Sequence, residues 1–307
     1  MTTVIAPGST GAYVKLAKLD IVDYYLGVLV VWALLAPALR FDAGVLTTMG
    51  VFLVGEVFVI VAMVALDDLT GYRDGSDIAN YAPDAPARKL NRKPLVAGTL
   101  TEPQVLRFAL VTAVVGAAVW LAALAVAPHR PVWTVVLVAV TFFFALQYSW
   151  GVKLSYHGSQ EFFLAALGWA LVLAPYGLVT GRVDGVVVVQ ALIFGLGPLL
   201  FGVYSNTNDV DGDRRVGRPT VAALTTPRGN RLFIRAVSSC EFLLILALPL
   251  VGGPWWYPLA LLPTVLLRLR QLRVGFGEGD ILRARRIGID AHRVTVVTLV
   301  VVNLVVR

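Results

Sequence analysis

Apolar runs of about 18 residues or more, each long enough to cross about 30 Å of hydrocarbon, recur along nearly the whole chain. That feature excludes most folds at once, because a water-soluble core of this size has no use for so much apolar sequence. Of 307 residues, 58% are hydrophobic and 15% are charged, with a mean hydropathy of +0.77. Composition and run length together predict an all-α, polytopic integral membrane protein with nine transmembrane helices. The helices are expected at approximately 19–39, 45–66, 105–127, 132–150, 160–180, 185–206, 232–252, 254–270 and 290–306. One domain is expected over 1–307, opened by a short polar tail, 1–13. The first apolar run is too long for a signal peptide and has no small-residue cleavage site, so it is expected to stay in the protein.

The net charge of +7 is distributed unevenly. Lys15 and Lys18 precede the first run, and most other basic residues fall in the connections after the second, fourth, sixth and eighth runs. The positive-inside rule therefore places the N-terminus and the loops 67–104, 149–159, 207–231 and 271–289 in the cytoplasm, with the C-terminus outside. On a soluble chain such basicity would point to nucleic acid. Here no nucleic-acid partner is expected, since topology and anionic lipid of the bilayer account for the charge. A single cysteine, Cys240, excludes intramolecular disulfides and is read as an inert core thiol. His129, His157 and His292 have no ligand spacing, and no nucleophile elbow, P-loop or dinucleotide fingerprint is present.

Carboxylates gather where two of the apolar runs stop. The stretch MVALDDLTGYRDGSD, residues 63–77, carries Asp67, Asp68, Asp74 and Asp77; YSNTNDVDGDRRVGRPTVAAL, residues 204–224, carries Asp209, Asp211 and Asp213. Both runs lead toward the cytoplasm, so both clusters lie on one side of the membrane. A continued helix, turning about 100° per residue, would bring Asp67, Asp74 and Asp77 within about 80° of one another. Asn206, Asp209 and Asp213 would likewise share a face. A short echo, Lys93-Pro94-Leu95-Val96-Ala97 against Arg218-Pro219-Thr220-Val221-Ala222, hints at two related halves.

Acids at the C-terminal ends of helices oppose the macrodipole and repel one another unless a cation compensates. Carboxylate oxygens are the ligands Mg²⁺ prefers, one or two per ion, the rest coming from water and phosphate. Candidate metal ligands are Asp67, Asp68, Asp74, Asp77, Asp209 and Asp213. Basic residues for the anionic oxygens of a phosphorylated substrate stand on the same side: Arg88, Lys89, Arg92, Lys93, Lys153, Arg214, Arg215 and Arg218. Paired acids, basic loops and an apolar interior suit an amphiphile with a diphosphate head and a hydrocarbon tail, such as an isoprenyl diphosphate.

From about residue 14 onward these residues resemble the UbiA superfamily of intramembrane prenyltransferases. That family has nine transmembrane helices and two aspartate-rich motifs, typically NDxxDxxxD and DxxxD. The second motif is matched by Asp209 and Asp213, followed by Gly217 and Thr220. A third signature is matched in YSWGVKLSYHGSQE by Tyr148, Lys153, Gly158 and Glu161, and the basic-Pro-Leu segment by Lys93, Pro94 and Leu95. The first motif departs: Asp67 stands for the family's Asn, Asp68 keeps the next Asp, and the later acids fall on Gly71 and Gly75, leaving Asp74 and Asp77 to serve. The resemblance implies Mg²⁺ on Asp68, Asp209 and Asp213, with Asp67, Asp74 and Asp77 as alternates. It implies a diphosphate bound by Lys153, Arg88, Arg92, Lys93, Arg214, Arg218 and Asn206, and a catalytic set of Asp68, Asp209, Asp213, Lys153 and Tyr148. The allylic cation formed can prenylate an aromatic or quinone-like acceptor, or be attacked from within its own chain to give a cyclic terpene.

Glu56 is set apart by the cost of an ionisable group inside a membrane helix. It lies eleven residues before Asp67, on nearly the same face and about 16 Å deeper, where an acceptor or prenyl tail would run. Glu241 and Arg235 are read as structural. Two other classes are weaker. A secondary transporter would carry its acids near the midplane, and a CDP-alcohol phosphotransferase would concentrate DxxDGxxAR in one segment, whereas no such Ala-Arg pair follows Asp74-Gly75.

Overall fold

The computed structural model describes residues 6–81 and 90–306. Every regular element among them is helical, as hydrocarbon requires of a backbone that must satisfy its own polar groups. In chain order the main helices are α1 (Thr10–Ala17), α2 (Val22–Leu34), α3 (Ala43–Arg73), α4 (Glu102–Val126), α5 (Val132–Gln147), α6 (Gln160–Thr180), α7 (Gly185–Asn208), α8 (Pro227–Ala247), α9 (Leu262–Phe276) and α10 (Ile281–Val306). Six of these, α3, α4, α6, α7, α8 with its 3₁₀ continuation to Val251, and α10, are long and apolar enough to cross a membrane. The others are shorter.

Helix starts follow local chemistry. The side chains of Asp42 and Asp184 each accept a hydrogen bond from a backbone N–H at the start of α3 and α7, from Val45 and Val187, both at 2.9 Å. Thr226 does the same for α8, accepting from Gly229 at 3.1 Å. Several bounds differ from the sequence expectation where charged residues stay helical. The α3 helix runs past 66 to Arg73, carrying Asp67 and Asp68 on its last turns. The last helix begins at Ile281, not 290, so Arg283, Arg285 and Arg286 are helical, and only residues 277–280 separate it from α9. An apolar run marks where a helix is in lipid, not where it stops. The expected 254–270 helix is interrupted: a turn at Tyr257–Ala260 precedes α9, which starts next to Pro263 and continues to Phe276.

Close packing depends on small residues. In α6 and α7 a Cβ on Gly168 would lie 2.8 Å from the Cα of Gly195, so only glycine lets these backbones touch. In α4 a Cβ on Gly116 would meet Val59 Cγ2 of α3 at 2.9 Å. Between α8 and α9 a fully buried pair replaces apolar packing: Arg268 donates from Nε to Glu241 Oε2 at 2.7 Å and from Nη2 to Oε1 at 2.9 Å. Arg235, expected beside Glu241 as structural, is exposed instead. Cys240 is a correction of the same kind. It is exposed on α8, because Ile234, Glu241 and Ile245 form the inward stripe and Cys240 falls off it.

Candidate active site

The two acidic segments are folded against each other at one end of the bundle. After α3 the chain turns at Gly75, whose φ of 81° a side chain would strain, and folds back as the short helix Ser76–Asn80. A second short helix, Val210–Arg215, follows α7. It packs so closely on the first that any side chain at Gly212 would run into Asn80 Oδ1.

This turn undoes the expected face of Asp67, Asp74 and Asp77, since the helix does not continue. Asp77 instead returns beneath α3, its carboxylate against Gly71, where a Cβ would lie 2.8 Å from Asp77 Oδ2. Asp74 Oδ1 accepts from the backbone of Ser76 at 2.8 Å, and its Oδ2 accepts from the Tyr156 hydroxyl.

Lysines join the acids. Lys93 Nζ donates to Asp68 Oδ1 at 2.7 Å and to Asp77 Oδ2 at 2.6 Å, and Lys18 Nζ donates to the same Asp68 Oδ1 at 2.6 Å. Asp68 is 1% exposed, and its other oxygen, Oδ2, is buried with no partner among the described residues. Burial pulls the Lys93 ammonium toward losing its proton, but Asp68, Asp77 and Asp67 outweigh that and hold it well above the usual lysine range. Burial likewise lifts Asp77 to about 6 against the pull of Lys93. Lys18 ends α1 at φ 46° and Lys153 starts a 3₁₀ turn at φ 54°; these are the two non-glycine residues at positive φ among the described residues. Each such backbone costs on the order of 1 kcal/mol or more and persists only where its surroundings hold it.

A second centre forms around Arg218. Its Nη2 donates to Asp67 Oδ1 at 2.9 Å, and the Ser149 hydroxyl donates to the same oxygen at 2.6 Å. The guanidinium lies 5.4 Å over the Tyr156 ring, and Lys153 Nζ lies 5.5 Å from that ring. Arg218 Nε is buried without a partner among the described residues. The Arg218 backbone N–H also donates to Asp213 O at 2.8 Å, and Asp213 Oδ2 accepts from Thr220 at 3.1 Å. Burial raises Asp213 to about 6, against Arg218 and with a contribution from Asp209.

Not every expected site residue points inward. Asn206 is engaged at both ends of its amide, donating to Glu161 Oε1 and accepting from Gln160 Nε2, each at 3.0 Å. It ties α7 to α6, and Glu161 in turn accepts the backbone N–H of Val221 at 3.0 Å. Arg92 pairs with Asp20 at 3.0 Å on the exposed surface, and Arg214 donates to the carbonyls of Ala223 and Thr225. Asp209 accepts from Asn208 at 2.9 Å, and Tyr148 is buried against Phe163 with ring centroids 5.0 Å apart. Arg88 and Lys89 lie outside the described residues. Glu56 is buried in α3, its Oε1 without a partner among the described residues. An apolar groove of about 340 Å³ opens between α5 and α6 beside Leu154 and Ser159.

Lys18 and Ser149 belong to the site although sequence reasoning gave the first only to topology and passed over the second, and Tyr156 joins them from the loop between α5 and α6. A lysine before an apolar run carries no sign of which acid it will reach.

Whether these residues fit a divalent cation is answered by their chemistry. The donor set is all carboxylate, with one buried oxygen, Asp68 Oδ2, that has no partner among the described residues, which suits a hard cation. As they stand, no three acid, histidine or cysteine side chains among the described residues converge to hold one. The ammonium groups of Lys18 and Lys93 sit among them.

Comparison with known proteins agrees with the fold. Solved structures of similar shape include a UbiA homologue from Aeropyrum pernix K1, 18% identical, with a TM-score of 0.68 over 92% of this chain and 98% of that one. Another is a UbiA homologue from Archaeoglobus fulgidus bound to DMAPP and Mg²⁺, 12% identical, with a TM-score of 0.64 over 94% of this chain and 98% of that one. A digeranylgeranylglyceryl phosphate synthase is 12% identical, with a TM-score of 0.64 over 96% and 98%. No curated protein matches the sequence. The model of the UbiA prenyltransferase family matches residues 25–278, a stretch that takes in both acidic segments and the loop between α5 and α6. This integral membrane chain belongs to the UbiA prenyltransferase family.

Proposed function

We propose that the protein ionises an isoprenyl diphosphate with the help of Mg²⁺ and transfers the prenyl group to an aromatic or quinone-like acceptor. The observation that carries this is the juxtaposition of two acidic segments, some 140 residues apart in the chain, around buried basic side chains at one end of the bundle. That the Archaeoglobus fulgidus homologues bind DMAPP or GPP together with Mg²⁺ supports the same choice of substrate and ion. In this reading the helices make nine passes around a central cavity, with the site on the cytoplasmic side.

Asp68, Asp209 and Asp213 would hold the metal, with Asp67, Asp74 and Asp77 as alternates; bound there, Mg²⁺ neutralises charge on the diphosphate. Arg218, Lys153 and Lys93 stabilise the negative charge that grows as the C–O bond breaks and its electron pair leaves with the diphosphate. Arg218 is the best placed, since its Nε is buried and has no partner among the described residues. The ring of Tyr148 offers a π-face to the allylic cation. An acceptor carbon supplies the electron pair of the new C–C bond, and its ring then loses a proton. Apolar walls keep water from the cation, and Glu56 lines the space for acceptor or tail.

Cyclisation is the second reading, favoured by one observation: Asp67, in place of the family's Asn, is tied to Arg218 and Ser149. An altered first segment need not impair ionisation, and the cation can then be attacked by a double bond of its own chain.

The test is release of pyrophosphate from geranyl, farnesyl and geranylgeranyl diphosphates by purified, delipidated protein with Mg²⁺, comparing Asp209→Ala and Asp213→Ala. The expected outcome is Mg²⁺-dependent turnover that falls by about 100-fold or more in both variants. Turnover that needs a quinone or phenol supports transfer, and cyclic products without one support cyclisation. The absence of any aspartate-dependent turnover overturns the enzymatic reading.

A further inference from the structure

Two lysines already stand where a cation would be bound. Lys93 Nζ bridges Asp68 Oδ1 and Asp77 Oδ2 at 2.7 and 2.6 Å, and Lys18 Nζ takes the same Asp68 oxygen at 2.6 Å. All three contacts are charge-assisted and largely shielded: the side chains of Asp68, Lys93 and Lys18 are 2%, 10% and 14% exposed. Removing such an acid's partner leaves a buried charge uncompensated, which is strongly unfavourable. A divalent ion that reaches beyond Asp68 Oδ2 to Asp68 Oδ1 or Asp77 Oδ2, the oxygens the lysines hold, must therefore displace at least one ammonium group. That group, still charged and still close by, then needs an anion.

Resting on the proposed function, we infer that Lys93, assisted by Lys18, is an internal counter-cation for Asp68 and Asp77 that couples metal binding to diphosphate binding. The metal alone competes with the lysines and binds weakly. A diphosphate gives the displaced ammonium a new partner, so the two ligands strengthen each other, and by linkage the coupling runs equally in both directions. Lys18 fits this role for a further reason. It is held at φ 46°, in the left-handed region, at the end of α1. Helix ends usually give that conformation to glycine or asparagine, whereas here it is held by the residue whose ammonium reaches Asp68. Toward the metal both lysines are positioning residues, acting through the carboxylates; toward the diphosphate the displaced Lys93 is a direct partner.

The experiment measures Mn²⁺ binding by the loss of its free electron paramagnetic resonance signal, on purified full-length protein, with and without inorganic pyrophosphate. Manganese held by pyrophosphate in solution is subtracted. The wild type is expected to bind Mn²⁺ at least about tenfold more tightly when pyrophosphate is present. Lys93→Gln is expected to bind Mn²⁺ alone about tenfold more tightly than the wild type and to lose most of the coupling. Lys93→Arg, which keeps a cation, should stay close to wild type. Lys18→Gln, on a separate element, should move the same way by less, and it carries the comparison if Lys93→Gln does not fold. Thermal unfolding adds a readout that a purely structural lysine would not move: Lys93→Gln should be destabilised and then recover with Mn²⁺, by more than the wild type gains. The inference is overturned if Lys93→Gln binds Mn²⁺ no better than wild type, or if pyrophosphate leaves wild-type binding unchanged. Binding of Mn²⁺ with pyrophosphate that Asp213→Ala abolishes but neither lysine variant alters defeats this inference alone. No binding of either probe to the wild type defeats the diphosphate reading as well.

Discussion

Arg218 shows how much one side chain can organise. Its guanidinium reaches Asp67 and Ser149 through Nη2, covers the Tyr156 ring and keeps a buried Nε–H that has no partner among the described residues. Its backbone N–H meanwhile closes the turn after Asp213. A lysine can replace the charge but not the planar fork that serves several partners at once. Arg218→Lys is therefore expected to lower kcat/KM for the prenyl diphosphate by about tenfold to 100-fold, as steady-state kinetics would read it. An unchanged value would remove Arg218 from the diphosphate site. The basic residue after the second acidic segment was legible in the sequence, but its rank above Arg214 and Arg92 was not. All three are arginines near acids; only the fold turns one inward and leaves the others on surface partners.

Among the elements, α8 and α9 carry their own test. The Glu241–Arg268 pair is buried, bidentate and supported by Gln271, which accepts from Arg268 Nη1 at 3.0 Å. Breaking a buried pair by removing one partner costs about 3–5 kcal/mol, whereas replacing both by apolar groups of similar volume is often neutral or better. Glu241→Ala should lower the unfolding temperature in detergent markedly, and Glu241→Leu combined with Arg268→Met should recover most of the loss. A double variant as unstable as the single one would contradict this account. The sequence places both charges in apolar runs and so signals that they need partners. It cannot say which partner, because Arg235, six residues away in α8, competes on paper with an arginine one helix further on.

For the whole molecule the testable property is its orientation. The only cysteine is exposed on α8, and Cys240→Ser gives a background free of thiols. With single cysteines added there, His157→Cys should react with a membrane-impermeant maleimide only from the cytoplasmic face, and Arg130→Cys only from the opposite face. Labelling of both from one side would refute the alternation of passes on which the positive-inside reading rests.

The sequence by itself determined that the protein is helical, that it lies in a membrane, and that acids and bases collect in particular connections. Each of these follows from local pattern: apolar run length, the cost of unpaired backbone in lipid, and charge next to a helix end. It also determined family membership, since the UbiA family model matches residues 25–278 of the sequence. Only the tertiary structure decided the pairings. That Lys18 reaches across fifty positions to Asp68, that Asp77 folds back beneath α3 while Asp74 turns to Tyr156, and that Asn206 binds Glu161 are consequences of which helices meet and how the chain turns at Gly75. A hydrogen bond or ion pair depends on distances of a few ångströms between residues far apart in the chain, and nothing in the local sequence records that separation.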